Sequence, residues 1–142
     1  MSSLRISNDI SMMDIPLIHQ FLANESYWAR GLKLETLTKS LSNSLCFAGF
    51  VGDKQVAFGR AITDLASMGY LKDIFVLPSY RGRGYGKELV EAMLAKLDHE
   101  EVPALMLATQ DAHSLYRQFG FEPVEGSVKL MRRVRKQTGT AK

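Results

Sequence analysis

One cysteine, one tryptophan, four prolines and three histidines are all that this 142-residue chain holds of those residue types, and each scarcity removes a class of protein. Cys46 alone cannot close an intramolecular disulfide, and no Cys/His spacing resembles a zinc site. The expected setting is therefore reducing and cytoplasmic, and no metal is expected. The longest nearly apolar run, Leu45 to Gly52, falls far short of the roughly 18 residues that suggest a membrane span. Arg5, Asp9 and Asp14 interrupt the amino terminus, which lacks the apolar stretch of a signal peptide. Repeats and low-complexity segments are missing too. Material for a core is not: 46% of residues are hydrophobic and 23% charged, values of a globular domain rather than a disordered chain. The length fits one domain that needs neither disulfide nor structural metal.

A pI near 9.1 raises the question of nucleic acid, and the distribution of charge answers it. Five basic residues (Arg132, Arg133, Arg135, Lys136 and Lys142) follow Met131, whereas the preceding body holds 13 basic and 15 acidic residues, a net charge of −2. The excess is a basic terminus with no aromatic residue interleaved, as in a solvated tail rather than a nucleic-acid arm. Residues 135–142 are expected to be an unstructured tail behind a domain spanning 1–134.

Along the chain, Leu4 and Ile6 alternate as in a short strand. Asp14, Ile15 and Pro16 then read as a helix start, a capping carboxylate with proline in the first turn, and that helix should run to about Asn24. The stretch from Asn24 to Lys33 breaks the period, and Leu34, Leu37 and Leu41 resume helical spacing. Leu45 to Val51, the Gly52-Asp53-Lys54 turn, and Val56, Phe58 and Ile62 predict a hairpin. A strand over Tyr70 to Leu77 leads into a long amphipathic helix from about Gly84. Ala104 to Ala108 reads as a buried strand, and Thr109 as the cap of a short helix closed by Gly120. Phe121 to Val124 and Val128 to Met131 are expected to finish the sheet. The order β-α-α-β-β-β-α-β-α-β-β mixes a hairpin half with a βαβ crossover, which predicts an α/β fold with a mixed sheet and helices on both faces.

The segment DIFVLPSYRGRGYGKELVEAML runs from a strand through a proline turn and glycines 82, 84 and 86 into a helix. Such glycines let backbone N–H groups converge at the positive end of a helix dipole, an arrangement suited to phosphate. A dinucleotide fingerprint fails because Lys87 occupies the place of its third glycine. A Walker loop fails because three residues, not four, separate Gly82 from Gly86, and Glu88 follows Lys87.

Arg81-Gly82-Arg83-Gly84-Tyr85-Gly86 instead resembles the R/Q-x-x-G-x-G/A signature of the GNAT superfamily of N-acetyltransferases. LKDIFVLPSY resembles that family's fourth strand, and LATQDAHSLYRQFGFEPV its second motif, so the likeness covers Tyr70 to Val124. Within that family the chain resembles small bacterial members that share YWA-x-G and T-x-DAH-x-LY-x-x-FGF. The resemblance implies a single-domain GNAT-like fold and acetyl-CoA as co-substrate, with its pyrophosphate wrapped by residues 81–86 and Lys87 alongside.

The resemblance further implies that Ile74, Phe75 and Val76 pair with the pantetheine arm through their backbone, and that a backbone N–H, that of Val76, stabilises the oxyanion as an amine attacks directly. Cys46 then has no covalent role and reads as a small core residue. Tyr116 occupies the general-acid position, though its spacing with Leu115 and Phe119 also fits a core aromatic. Thr109 stands where many members have a pantetheine-binding Asn. Asp73, set among apolar residues, is either an acid that binds or deprotonates the amine, or a carboxylate satisfied by backbone donors or Lys72. Tyr27, Trp28 and Arg30 are candidate walls of the acceptor pocket. The acceptor is expected to be a small-molecule or peptide amine; a homodimer is compatible, and neither nucleic acid nor membrane is expected as a partner. The competing reading is a non-catalytic acyl-CoA-binding sensor or interaction module on the same fold.

Overall fold

The computed structural model describes residues 4–125 and 130–135. Two compact units divide the chain, Met1–Asp111 and Ala112–Lys142. The first contains a five-stranded sheet in the order β1-β2-β3-β4-β5. Its strands are β1 (Arg5–Ser7), β2 (Leu45–Val51), β3 (Lys54–Thr63), β4 (Gly69–Val76) and β5 (Leu105–Met106). Neighbours are antiparallel except the last pair, where β4 and β5 run parallel because the crossover between them contains a helix, α3 (Tyr85–His99).

Local chemistry sets the elements. Asp14 caps α1 (Ile15–Asn24) by accepting the Leu17 N–H at 3.1 Å, with Pro16 in the first turn, and Gly52 makes the β2–β3 turn at φ 61°. Phe21 and Leu22 of α1 and Leu37 and Leu41 of α2 (Leu34–Ser42) are buried against Phe50, Phe58 and Phe75 of the sheet. Phe21 stacks on Phe75 with ring centroids 4.1 Å apart. The opposite face belongs to α3, whose Leu89, Val90, Met93 and Leu97 are fully buried, each worth about 1.5–3 kcal/mol. Gly59, next to Phe58 and so facing the other way, shows this: a Cβ there would meet Met93 Sδ at 2.9 Å. Helices thus cover both faces, as expected.

The β3–β4 ladder is irregular at one place. Phe58 pairs with Phe75 but Arg60 with Lys72, so Gly59 alone faces Asp73 and Ile74, and Asp73 takes φ 59°. This is a bulge, with the extra residue in the left-handed region that Asp tolerates better than most residues. β4 pairs with β5 through Gly69 and Tyr70. Beyond Tyr70 the two chains part.

The second unit carries α4 (His113–Arg117), in which Tyr116 is buried and its ring meets that of Phe121 edge-on at 6.0 Å. Two expectations from the sequence are corrected here. The N-cap position of this helix is Ala112, not Thr109: the Ala112 carbonyl accepts from the Leu115 and Tyr116 N–H groups. Phe121 to Val124 form no strand, since no ladder reaches them among the described residues. Val128 and Lys129 of the last expected strand, and residues 136–142 of the expected tail, lie outside the described residues; Leu130 and Met131 are not in a strand.

Candidate functional site

The turn after β4 begins with Pro78–Tyr80 as a 3-10 turn, then passes through Gly82 at φ 79° and Gly84 at φ 83° into α3. Those two glycines are demanded by the backbone. Gly86 is not: it lies inside the first helical turn, and an added Cβ would make an ordinary contact with Val76 Cγ2 at 3.8 Å. A glycine there costs helix stability for no internal reason, as befits a place where a ligand approaches the backbone. The first bond within the helix is Glu88 N–H to the Gly84 carbonyl, so the N–H groups of Gly86 and Lys87 have no acceptor one turn behind them. With the dipole and the exposed Arg81, Arg83 and Lys87, the residues fit a pyrophosphate. Arg81 also shapes the turn, its Nε donating to the Val76 carbonyl at 3.0 Å, and Arg83 donates to the Ser79 carbonyl at 3.3 Å beneath the Tyr80 ring.

The same turn borders an open strand edge. The Leu77 N–H donates to the Val56 carbonyl at 2.8 Å on the β3 side, so alternation turns the backbone of Val76 to the other side and that of Phe75 back toward β3. The Arg81 bond to Val76 lies on that outer side. Ile74 and Val76 therefore present backbone groups where β5 no longer runs alongside.

Toward the start of β4 lies a cavity of about 320 Å³. The loop between α1 and α2 supplies Trp28, Arg30 and Leu32, α2 supplies Thr36 and Ser40, and the sheet supplies Arg60, Lys72 and Asp73. Asp73 is 7% exposed, and both its oxygens are engaged: Oδ1 accepts from Trp28 Nε1 at 2.8 Å and Oδ2 from Arg60 Nε at 2.7 Å. Arg60 Nη1 donates onward to Ser44 Oγ at 2.8 Å, and Ser44 to the Ser40 carbonyl at 2.7 Å. A buried carboxylate is thus paired and fixed in orientation. Lys72, one expected partner of Asp73, is exposed and makes no ion pair with it; Arg60 takes that place, a residue the sequence reading passed over. Its one signal was a lone charge inside the apolar run of β3.

Trp28, Arg30 and Asp73 meet around this cavity, while Tyr27 stands behind it. The Tyr27 ring packs edge-on against Trp28 at 5.0 Å, and its hydroxyl accepts the Gln110 N–H at 3.0 Å. Thr109, next to Gln110, is half-buried, and Tyr116 belongs to the second unit. Cys46 pairs with Arg60 across β2 and β3; burial pushes its thiol up from 9.0 to about 11, partly offset by the nearby guanidinium. A thiol so raised is a poor nucleophile. Among the described residues no group of three or more His, Cys, Asp or Glu could hold a metal, and no helix is long and apolar enough to cross a membrane.

Comparison with known proteins gives a consistent picture. The family model described as acetyltransferase (GNAT) family matches residues 15–121. A crystal structure from Xanthomonas campestris pv. campestris, of a protein assigned to the GNAT acetyltransferases, is 44% identical, with a TM-score of 0.89 over 95% of each chain. The GCN5-related N-acetyltransferase 2, chloroplastic, of Arabidopsis thaliana is 32% identical over 69% of this chain, which spans 40% of that protein's length. A Mycobacterium tuberculosis protein solved in complex with CoA shares the fold, with a TM-score of 0.72 at 19% identity over 86% of this chain and 74% of its own.

Proposed function

The chain belongs to the GNAT acetyltransferase family, a family of acetyl-CoA-dependent acyltransferases, and on that premise we propose that it transfers an acetyl group to a primary amine held in the cavity beside Asp73. Acetyl-CoA, when bound, supplies the acetyl group as a thioester open to direct attack by an amine. The N–H groups of the 82–87 turn hold the pyrophosphate, with Arg81, Arg83 and Lys87 adding positive charge. Ile74 and Val76 lend their outward backbone groups to the pantetheine arm, and Thr109 contacts it from the parted β5 segment. The Val76 N–H donates to the thioester carbonyl oxygen as that oxygen gains negative charge. Tyr116 gives its hydroxyl proton to the departing sulfur. Asp73 has further lone pairs for the acceptor's ammonium, whose proton passes to water before the free amine attacks, with Arg60 and Trp28 holding the carboxylate in place. Trp28 and Arg30 wall the acceptor, and Tyr27 braces Trp28. A raised Cys46 thiol supports a route with no acyl-enzyme, and one buried free cysteine suits the reducing cytoplasm.

One observation carries this reading: β4 holds an open backbone edge at Val76 against the glycine turn and, three residues earlier, the buried acid of a cavity. At the rise of a strand the two are roughly 10 Å apart, the span of a small acceptor. Calorimetry with acetyl-CoA, followed by free-thiol release against a panel of amines, tests it. Binding lost in a folded Gly84→Glu variant and turnover with at least one amine are expected. Wild-type affinity in that variant refutes the placement, and binding without turnover on any amine favours an acyl-CoA sensor.

A further inference from the structure

The charges around the cavity do not cancel. Asp73 is neutralised by Arg60 at 2.7 Å, an ion pair whose side chains are 5% and 8% exposed. Two cations remain in the lining, Arg30 and Lys72, and among the described residues neither has a carboxylate within ion-pair distance. Arg30 donates through Nη1 to the Asn24 carbonyl at 3.3 Å. Both side chains are exposed, so water satisfies them until a ligand arrives. The rest of the lining, Trp28, Ala29, Gly31, Leu32, Thr36 and Ser40, carries no charge. An amine as such gains nothing from two like charges, since they repel its ammonium.

From this lining we infer that the acceptor is a small amino acid, an amine bearing a carboxylate that Lys72 and Arg30 hold while its ammonium faces Asp73. This deepens the proposed acetyl transfer and rests on it. The cavity's 320 Å³ is at the small end of ligand sites and has room for a single small metabolite. The cations also exclude: a polyamine or a lysine-rich peptide would bring positive charge to Lys72 and Arg30, and selectivity comes as much from that repulsion as from the attraction.

The sole tryptophan of the chain is Trp28, so intrinsic fluorescence reads occupancy of this cavity without any turnover. Each of several amino acids would be titrated into the full-length protein beside its carboxamide and its decarboxylated amine. The acid is expected to bind roughly tenfold more tightly than either, the sum of two solvent-exposed charge pairs. Raising the salt should shrink that margin. Lys72→Gln should remove most of it, and Lys72→Glu should reverse it in favour of the decarboxylated amine. Equal or tighter binding of the neutral and decarboxylated forms overturns the inference, and so does the lack of any fluorescence response at millimolar ligand. Acetyl-CoA calorimetry on the same protein separates the two readings. If acetyl-CoA binds and amines are acetylated regardless of a carboxylate, this inference fails alone. If acetyl-CoA does not bind, the transferase reading fails, whatever the fluorescence shows.

Discussion

Arg60→Met keeps most of the length and volume of the arginine stem while deleting the donors at 2.7 Å from Asp73 and 2.8 Å from Ser44. The Asp73 side chain is 5% exposed, so water from the bordering cavity replaces the lost guanidinium only in part. Breaking a buried pair from one side costs about 3–5 kcal/mol, because the remaining charge is left desolvated. The Trp28 indole still donates at 2.8 Å, which places the expected loss near the lower figure, about 3 kcal/mol. For a chain of this length that lowers Tm by roughly 10 °C. The double variant Arg60→Met/Asp73→Asn separates charge from shape. An asparagine keeps an oxygen for the indole and accepts the left-handed backbone at residue 73 at least as well as aspartate does. Its stability should return to within about 1 kcal/mol of wild type. Urea denaturation with unchanged m-values, followed by circular dichroism, measures both. A loss under about 1 kcal/mol for the single variant, or a double variant no more stable than it, would refute the view that a desolvated charge pair holds this site together.

Gly86→Ala should raise stability by about 0.5–1 kcal/mol, since neither φ nor packing requires the glycine, whereas Gly86→Glu should fold yet fail to bind acetyl-CoA in calorimetry. Gly84→Ala should lower stability by about 1–2 kcal/mol in thermal melts, because φ 83° is strained for any residue with a Cβ even where space is open. The Cys46 thiol titrates near 9.0 when unfolded and near 11 when folded, so between those values the unfolded chain has lost a proton that the folded one keeps. Stability therefore falls as pH rises through that window, and Cys46→Ala should flatten the fall when urea midpoints are compared across it. Tyr116→Phe should lower kcat by on the order of 10²-fold at unchanged acetyl-CoA affinity; unchanged kcat at saturating amine removes the general-acid role.

Elements with a chemical boundary were legible. Asp14 with Pro16 marks the start of α1, and Gly52 marks the β2–β3 turn, because capping and positive φ are local demands that particular residues meet. The glycine turn was legible for the same reason. Thr109 misled because a threonine before a helical pattern fits a cap equally well at several offsets, and the helix starts three residues later, after Ala112. Phe121 to Val124 misled in another way: alternation says that a segment can be a strand, and among the described residues no ladder reaches this one. Arg60 stayed hidden because burying a guanidinium is tolerable only with its partners in place, and Asp73 and Ser44 reach it only through strand register.

Register also explains why one strand serves two purposes. Without the bulge, β4 would alternate regularly past β3, and a residue would face Gly59 directly. The extra residue places Ile74 on the α3 side, where it fills the space that a Cβ on Gly59 would need, 3.0 Å from Ile74 Cγ1. Phe75 can then stack on Phe21 over the opposite core. Asp73 takes up the irregularity at φ 59°, a cost of about 1–2 kcal/mol for a residue with a Cβ. Two charge-assisted hydrogen bonds, from Arg60 and Trp28, offset it at about 1.5–3 kcal/mol each. The strain is therefore held by the cavity wall itself, and loosening Trp28 should loosen the strand beyond it, where Val76 turns its N–H outward.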